Sequence, residues 1–402
     1  MKTKITISFV SLLLFSTIYP SKITIWNNTF SPIKATVTYS SDKKKDIDID
    51  AASHESWDNV VYNMKSIKIK DKSLNLQSGI SKRFEVFYDG EKIRAGRGLS
   101  PSETFIMPDP SLKYNEVCFL ASHNSHAAHP YGYLYAQQDK KISDQLKSGV
   151  RALLLDTYPV KKDNLTKEAQ PQSGDSLNDY EVMLWHRSTG RNLKRTFKDA
   201  LKTIKEFLIK NPRAIITIQL ENYSPGSLID HIIEKSNISK FVLKPNDWDP
   251  SKKNGWPTLK WMIDNDKRLV IFDSRSGSSY CYYQWQYTTE NQYGELDIKK
   301  AAKLRADSSP IKNYLMTINY FGTITSPINY PAANSTKLRE LINYISKNGL
   351  DGNYKKRYPN FIALDYVNRG KDGDPLKLIN EINHKSKISK NRGKTIFRPL
   401  IP

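Results

Sequence analysis

The chain has 402 residues, 38% of them hydrophobic, enough to bury a large core and to hold two or three domains. Its 62 Lys and Arg against 41 Asp and Glu give a formal net charge of +21, which points to anionic partners. The basic residues are scattered and carry no nucleic-acid-binding motif, so nucleic acid is not expected; an anionic lipid surface would use the same charge, as would a merely Lys-rich soluble surface.

At the N-terminus, Met1-Lys-Thr-Lys4 precedes an apolar run from Ile5 to Tyr19, which reads as a secretory signal over residues 1–20. That run is short for a membrane span and no later segment is apolar enough for one, so the mature chain is expected to be exported without a transmembrane segment. Ile18-Tyr-Pro-Ser21 lacks the small-x-small pattern and leaves the cleavage site undefined. Over residues 21–109 the hydrophobic pattern has period two: Ile23 and Ile25, Ala35, Val37 and Tyr39, Ile67 and Ile69, then Phe84, Val86 and Tyr88. This predicts an all-β, sandwich-like domain, with Asp89-Gly90 as a hairpin turn and no cluster that suggests catalysis. Pro108-Asp-Pro-Ser-Leu-Lys-Tyr-Asn115 reads as the linker that follows.

Residues 110–390 alternate between strands and helices. Phe197, Leu201, Ile204 and Leu208 recur at helical spacing, as do Leu338, Leu341, Ile342 and Ile345, each set between β-rich runs. No glycine-rich dinucleotide fingerprint follows the first strand, so a parallel barrel fits better than an open sheet. Residues 391–402 form a basic tail. Only Cys118 and Cys281 are present, which excludes a disulfide framework and leaves at most one bridge.

Four apolar runs in this region end in polar residues able to do chemistry. Ala121-Ser-His-Asn-Ser-His126 presents His123 and Asn124, Arg151-Ala-Leu-Leu-Leu-Asp-Thr-Tyr158 presents Asp156, Leu184-Trp-His-Arg187 presents His186, and Ala214-Ile-Ile-Thr-Ile-Gln-Leu-Glu-Asn222 presents Glu221. In an α/β barrel catalytic groups come from the C-terminal ends of several strands, so the four form a candidate constellation, and two histidines at strand ends suggest acid/base work. His126 and His129 extend an H-x-x-H-x-x-H run, but steps of three share no face of a strand and drift around a helix; both are expected as loop residues bordering the pocket. Asn222 is expected inside the site, and Tyr280 to Tyr287 reads either as a packed strand face or as an aromatic edge for a lipid interface.

The order and wording of these motifs resemble the X domain of phosphatidylinositol-specific phospholipase C, nearest to the secreted plant and fungal type. The resemblance runs from about Cys118 to about Asn383 and includes Asn254-Gly-Trp-Pro-Thr258, Gln284-Trp-Gln-Tyr287, Glu290-Asn-Gln-Tyr-Gly294 and Pro359-Asn-Phe-Ile-Ala-Leu-Asp365. It implies a TIM-type (β/α)8 barrel and a phosphodiesterase that cleaves a phospholipid headgroup at an anionic membrane surface. The headgroup would be phosphatidylinositol or a glycosylated form, with the inositol 2-hydroxyl attacking. By that likeness His123 matches the family's first histidine, as base or phosphate stabiliser, His186 matches the second, as general acid, and Asp365 orients His123; a capping or ion-paired aspartate is the plainer reading of Asp365. Asn124, Asp156 and Glu221 match ligands of the family's calcium-dependent members, yet Leu154 replaces a further acid. In metal-free bacterial members an arginine stands where this chain has Tyr158, so Ca2+ is left open, with Arg151 and Arg187 as alternative positive charges for substrate, although Arg151 more simply anchors its strand. Two other readings stay open, a glycerophosphodiester or sphingolipid phosphodiesterase and a non-catalytic phospholipid-binding protein.

Overall fold

The computed structural model describes residues 22–27, 33–39, 41–49, 53–58, 64–75, 84–88, 93–97, 107–133, 135–186, 193, 195–253, 255–295, 297–305, 315–322, 335–353, 357–369 and 375–391. The expected signal, the Asp89-Gly90 turn, Arg187 and the tail beyond Asn391 lie outside the described residues. The chain divides into two units, Met1–Leu99 and Ser100–Pro402.

The first unit is all β. Its strands are β1 (Lys22–Asn27), β2 (Ile33–Tyr39), β3 (Lys44–Ile49), β4 (Ser53–Asp58), β5 (Met64–Ile69), β6 (Lys72–Asn75), β7 (Phe84–Tyr88) and β8 (Ile93–Arg97). They form two four-stranded sheets, in the orders β4-β1-β7-β8 and β3-β2-β5-β6; the second is antiparallel throughout, while β1 and β7 pair in parallel. The period-two pattern is carried through: Ile67 and Ile69 are buried with Lys68 exposed between them, and Ala35 and Val37 are buried on the neighbouring strand.

The second unit is built on a curled parallel sheet. Its strands are β9 (Phe119–Ser122), β10 (Ala152–Lys161), β11 (Asn164–Glu168), β12 (Tyr180–Leu184), β13 (Ile216–Asn222), β14 (Leu269–Asp273), β15 (Tyr282–Tyr283), β16 (Thr288–Glu290), β17 (Leu315–Tyr320) and β18 (Phe361–Leu364). Omitting β11 and β12, sequence order is spatial order: β9-β10-β13-β14-β15 on one side and β9-β18-β17-β16 on the other, all in parallel register. Among the described residues no pairing joins β15 to β16. The fold is the expected α/β barrel, and the apolar runs of β13 and β14 are buried almost throughout because a parallel sheet is covered on both faces.

One strand differs from the sequence reading. Leu184-Trp-His-Arg187 is expected to close a barrel strand, but β12 runs antiparallel to β10 and belongs to an excursion. The first residues of β10, Ala152 to Thr157, pair with β13, and its continuation from Thr157 to Lys161 carries β11 and β12 instead. An apolar run has the same composition in either direction, and only the pairing reveals which way it runs.

The helices are α1 (Ile142–Lys147), α2 (Phe197–Lys210), α3 (Gly226–Lys235), α4 (Leu259–Asp264), α5 (Gln284–Tyr287), α6 (Ile298–Ala301), α7 (Ser335–Asn348) and α8 (Pro375–Asn391). On α2 the Thr196 hydroxyl accepts from the Asp199 amide in a capping box, and Phe197, Ala200, Leu201, Ile204 and Leu208 face the core. Each large side chain so buried contributes roughly 1.5–3 kcal/mol, well above what helix propensity alone provides. None of the described helices is long and apolar enough to cross a membrane.

Three residues expected elsewhere, Leu112, Tyr114 and Arg151, belong to the N-terminal mouth of the barrel. The segment read as a linker is part of the core: Leu112 and Tyr114 are buried, the Leu259 amide donates to the Leu112 carbonyl at 2.9 Å, and the Tyr114 hydroxyl lies 2.5 Å from Thr217 Oγ1. Tyr114 also meets the rings of Phe119, Trp256 and Phe361, so it closes the bottom of the barrel. Arg151 begins β10 at this same end, buried over the Phe207 ring, and its guanidinium donates to the carbonyls of Leu146 and Val150 at 2.8 Å each. The expectation that Arg151 binds substrate is therefore corrected: its donors tie down α1 and the strand start. Cys118 and Cys281 are both buried free thiols, and burial raises the pKa of each.

Candidate active site

The C-terminal ends of the parallel strands surround a cavity lined by His123, Asn124, Asp156, His186 and Glu221. The structure thus brings five of the sequence-derived candidates to one place, and the register explains how. On β9 and β18, Ser122 pairs with Leu364, so the next residues, His123 and Asp365, emerge side by side. His123 Nδ1 lies 2.7 Å from Asp365 Oδ1, and the His123 amide donates to the Leu364 carbonyl at 2.9 Å. Buried Gln138 stitches the two strand ends together, its Nε2 donating to the carbonyls of His123 and Leu364.

Directly after this pair the chain takes two left-handed turns. Asn124 has φ 44° and Tyr366 has φ 46°. Asparagine tolerates that region, whereas for tyrosine it stores strain, held here by the Tyr366 amide donating to the Gln137 carbonyl at 2.7 Å and its hydroxyl to Ala136 O at 2.5 Å.

Asp156 and Glu221 are register partners on adjacent parallel strands, as are Leu154 and Gln219, and period two turns all four toward the cavity. Glu221 is exposed, and its Oε1 accepts the Tyr223 hydroxyl at 2.5 Å. The Tyr223 ring stacks on Tyr158 at 4.4 Å and 11°, and Tyr158 in turn stacks on Trp185. Burial, with Asp156 nearby, pushes the Tyr158 phenol up to about 12, so it stays protonated beside the site. His186 is brought in from the returning β12, and Gln137 Nε2 lies 3.2 Å from its Nε2 and 3.4 Å from its Nδ1.

Several neighbours of these residues prove structural. His126 is 1% exposed, lies 3.0 Å through Nε2 from the Trp185 carbonyl, and is driven down to about 3 by burial; it is neutral and does not line the cavity. His129 is exposed and pairs with Asp139 at 3.2 Å, so neither histidine borders the pocket as expected. Asn222 is likewise outside it: its Oδ1 accepts from Thr157 Oγ1 and its Nδ2 donates to Asp273 at 2.9 Å. The Tyr280 to Tyr287 stretch mainly packs, with Tyr280, Tyr282 and Tyr287 buried, although Tyr283 is exposed and Trp285 lines the cavity.

The far wall of the cavity holds residues to which the sequence motifs assign no role, and one that lies outside every motif. Glu290 accepts from Gln284 Nε2 at 2.7 Å, from Asn319 Nδ2 at 3.1 Å and from Arg305 at 3.1 Å. Asn319 obeys the same rule as the other candidates, a polar group near the end of the readable strand β17, and that rule would have found it; Glu290 ends β16, whose three residues are too few to be read as a strand. Arg305 sits in a loop with no periodic signal; its guanidinium lies over the Trp285 ring at 5.0 Å and the Tyr293 ring at 5.6 Å. Among the described residues lining the cavity it is the one arginine or lysine. Phe321, just past β17, lies flat on His123, with centroids 3.6 Å apart and planes 3° from parallel.

Calcium takes six to eight oxygen ligands. Asn124, Asp156 and Glu221 are suitable oxygen donors in one cavity, but a Glu221 oxygen is engaged by Tyr223, Leu154 is apolar, and no three His, Cys, Asp or Glu among the described residues gather as a metal site. Calcium held by these residues would need water and substrate oxygens to complete its shell.

The PI-PLC X domain model (PI-PLC X 1) matches residues 110–380. A PI-PLC X domain-containing protein of Arabidopsis thaliana is 28% identical over 307 residues, covering 71% of this chain; the chain spans 66% of that protein's length. PI-PLC X domain-containing protein 1 of Arthroderma benhamiae is 24% identical over 286 residues, 67% of this chain and 86% of that protein. Among solved structures, phosphatidylinositol-specific phospholipase C from Listeria monocytogenes is similar over 71% of this chain and 99% of that one, at 16% identity and a TM-score of 0.46.

Proposed function

The chain belongs to the PI-PLC X domain family, and on that premise we propose that it is a phospholipase C-like phosphodiesterase that releases a phospholipid headgroup, phosphatidylinositol or a glycosylated form, by paired histidine chemistry. The observation that carries the reading is His123, paired with Asp365, lining the same cavity as His186.

With its Nδ1 proton donated to Asp365, His123 keeps Nε2 as the basic atom, and the carboxylate stabilises the imidazolium that forms. Nε2 takes the proton of a headgroup hydroxyl, whose oxygen forms a new bond to phosphorus. The bond from phosphorus to the diacylglycerol oxygen breaks, and protonated His186 gives that oxygen a proton. Developing charge on the phosphoryl oxygens falls in a cavity whose fixed cation is Arg305, held in place by Glu290 and two rings. No step is assigned to calcium.

The substrate surface and the route to it are part of the same proposal. An exported chain of net charge +21 would adsorb to anionic lipid, each Lys or Arg near the surface contributing about 1 kcal/mol. Tyr135 and Tyr223, on loops at the catalytic end, and Tyr283, at the end of β15, are among the exposed large side chains and suit a lipid-water boundary. The test is headgroup release from a panel of phosphatidylinositol, glycosylated phosphatidylinositol, glycerophosphodiester and sphingomyelin, with and without chelator. Release of a phosphorylated inositol, unchanged by chelator, is expected. Release from another lipid alone would move the substrate assignment, binding without release would favour a phospholipid-binding protein, and loss of activity in chelator would mean that substrate oxygens complete a calcium site around Asn124, Asp156 and Glu221.

A further inference from the structure

We infer that Phe321 is a positioning residue for His123, holding the imidazole plane so that Nε2 points at the reacting hydroxyl; the inference rests on the proposed reading of His123 as the base. A hydrogen bond at Nδ1 fixes one atom of the ring and leaves a tilt about that bond, which sweeps Nε2 sideways. In the structure that freedom is removed by a face. The Phe321 and His123 rings lie 3.6 Å apart and 3° from parallel, a flatter and closer approach than the 4.5–7 Å usual for aromatic pairs.

Phe321 is itself held. It is 5% exposed, the Tyr293 ring packs against it at 5.5 Å and 25°, and its carbonyl accepts from the Gly294 amide at 3.0 Å. Tyr293 lies next to the Arg305 guanidinium, so the stack runs from the cavity's fixed cation to its base. The face also serves the charged intermediate, because an imidazolium formed by proton transfer meets the electron-rich side of an aromatic ring. Aspartate and phenylalanine thus hold the ring in different ways. Asp365 fixes which nitrogen carries the proton, and Phe321 fixes where the other one points.

The experiment compares Phe321→Leu, Phe321→Tyr and Asp365→Asn, singly and with Phe321→Leu and Asp365→Asn combined. Leucine keeps an apolar side chain without the flat face. For Phe321→Leu, kcat is expected to fall on the order of 10–100-fold with KM little changed, since a misplacement near 1 Å costs that much in rate. Phe321→Tyr restores the face and should recover most of that loss. The double variant should lose less than the product of the two single effects, because both act through one ring. The imidazole proton signals of His123 supply a readout independent of turnover: they are expected to be displaced by the phenyl ring current in the wild type and to move back in Phe321→Leu. Wild-type kcat in Phe321→Leu, a loss confined to KM, no recovery with tyrosine, or His123 signals indifferent to the substitution would each overturn the inference. If the wild type cleaves no phosphodiester, the proposed function fails, and the His123 signals still decide whether Phe321 holds the ring.

Discussion

The two mouths of the barrel are built on the same strands and could hardly differ more. At the N-terminal mouth, Tyr114, Phe119, Trp256 and Phe361 close the end with rings. Arg151 and Arg268 are sealed there, Arg268 donating to the carbonyls of Leu208, Asn211 and Ala214. At the C-terminal mouth the same strands release His123, Asp156, Glu221 and Asp365, and an arginine there, Arg305, faces a cavity. Each strand begins in structure and ends in chemistry, and one residue type carries opposite meanings at its two ends.

The hardest test of that division is made at the catalytic end. His123→Ala and His186→Ala should each lower kcat/KM on the order of 10⁴-fold while thermal melting stays near wild type. Unfolding of either variant, or near-normal turnover, would break the comparison. At the opposite end the outcome should invert. Tyr114→Ala should cost about 3–5 kcal/mol in denaturant titration while turnover per folded molecule is kept. Tyr114→Phe should isolate the contact with Thr217 at about 1 kcal/mol.

Two polar groups near the catalytic end sharpen the comparison because they are structural. His126 is held neutral down to about 3, whereas the unfolded chain takes up its proton near 6.5, so lowering the pH across that window should destabilise the fold. His126→Gln should flatten this part of a stability-against-pH curve. Asp273 has the opposite sign. Burial raises it from 3.8 to about 6, so the unfolded chain ionises first and raising the pH across that narrower window costs stability; Asp273→Asn should gain on wild type as pH rises through it. The smallest effect concerns the outer surface. Binding to anionic vesicles should weaken steeply with salt while hydrolysis of a soluble headgroup analogue changes little; salt-insensitive adsorption would shift attention to exposed Tyr135, Tyr223 and Tyr283.

What the sequence made legible follows from how strongly each element is patterned. The runs of β10, β13 and β14 are apolar because they are covered on both faces, and α2 announces itself by Thr196, Asp199 and its buried stripe. Strand ends can then be read for chemistry, which locates His123, Asp156 and Glu221. Direction and distance cannot be read. β12 has the composition of a barrel strand but runs backward, and the Pro-rich segment before β9 hides Leu112 and Tyr114 as core residues. β15 and β16, of two and three residues, are too short for any period, so nothing in the pattern marks the wall that holds Glu290 and Arg305.

The paired left-handed turns also bear on how this site can evolve. At Asn124 the backbone admits asparagine, aspartate or glycine at little cost, while a β-branched side chain would be penalised by roughly 1–2 kcal/mol. A lineage can therefore swap a neutral amide for a carboxylate beside the base by a single conformationally neutral step, changing the charge of the cavity without rebuilding the turn. Tyr366 offers no such freedom. Glycine would relieve its torsion but would delete the hydroxyl that anchors this turn to Ala136, loosening the strand end that presents Asp365. Of two neighbouring residues in the same unusual conformation, one is a door for drift and the other a lock against it.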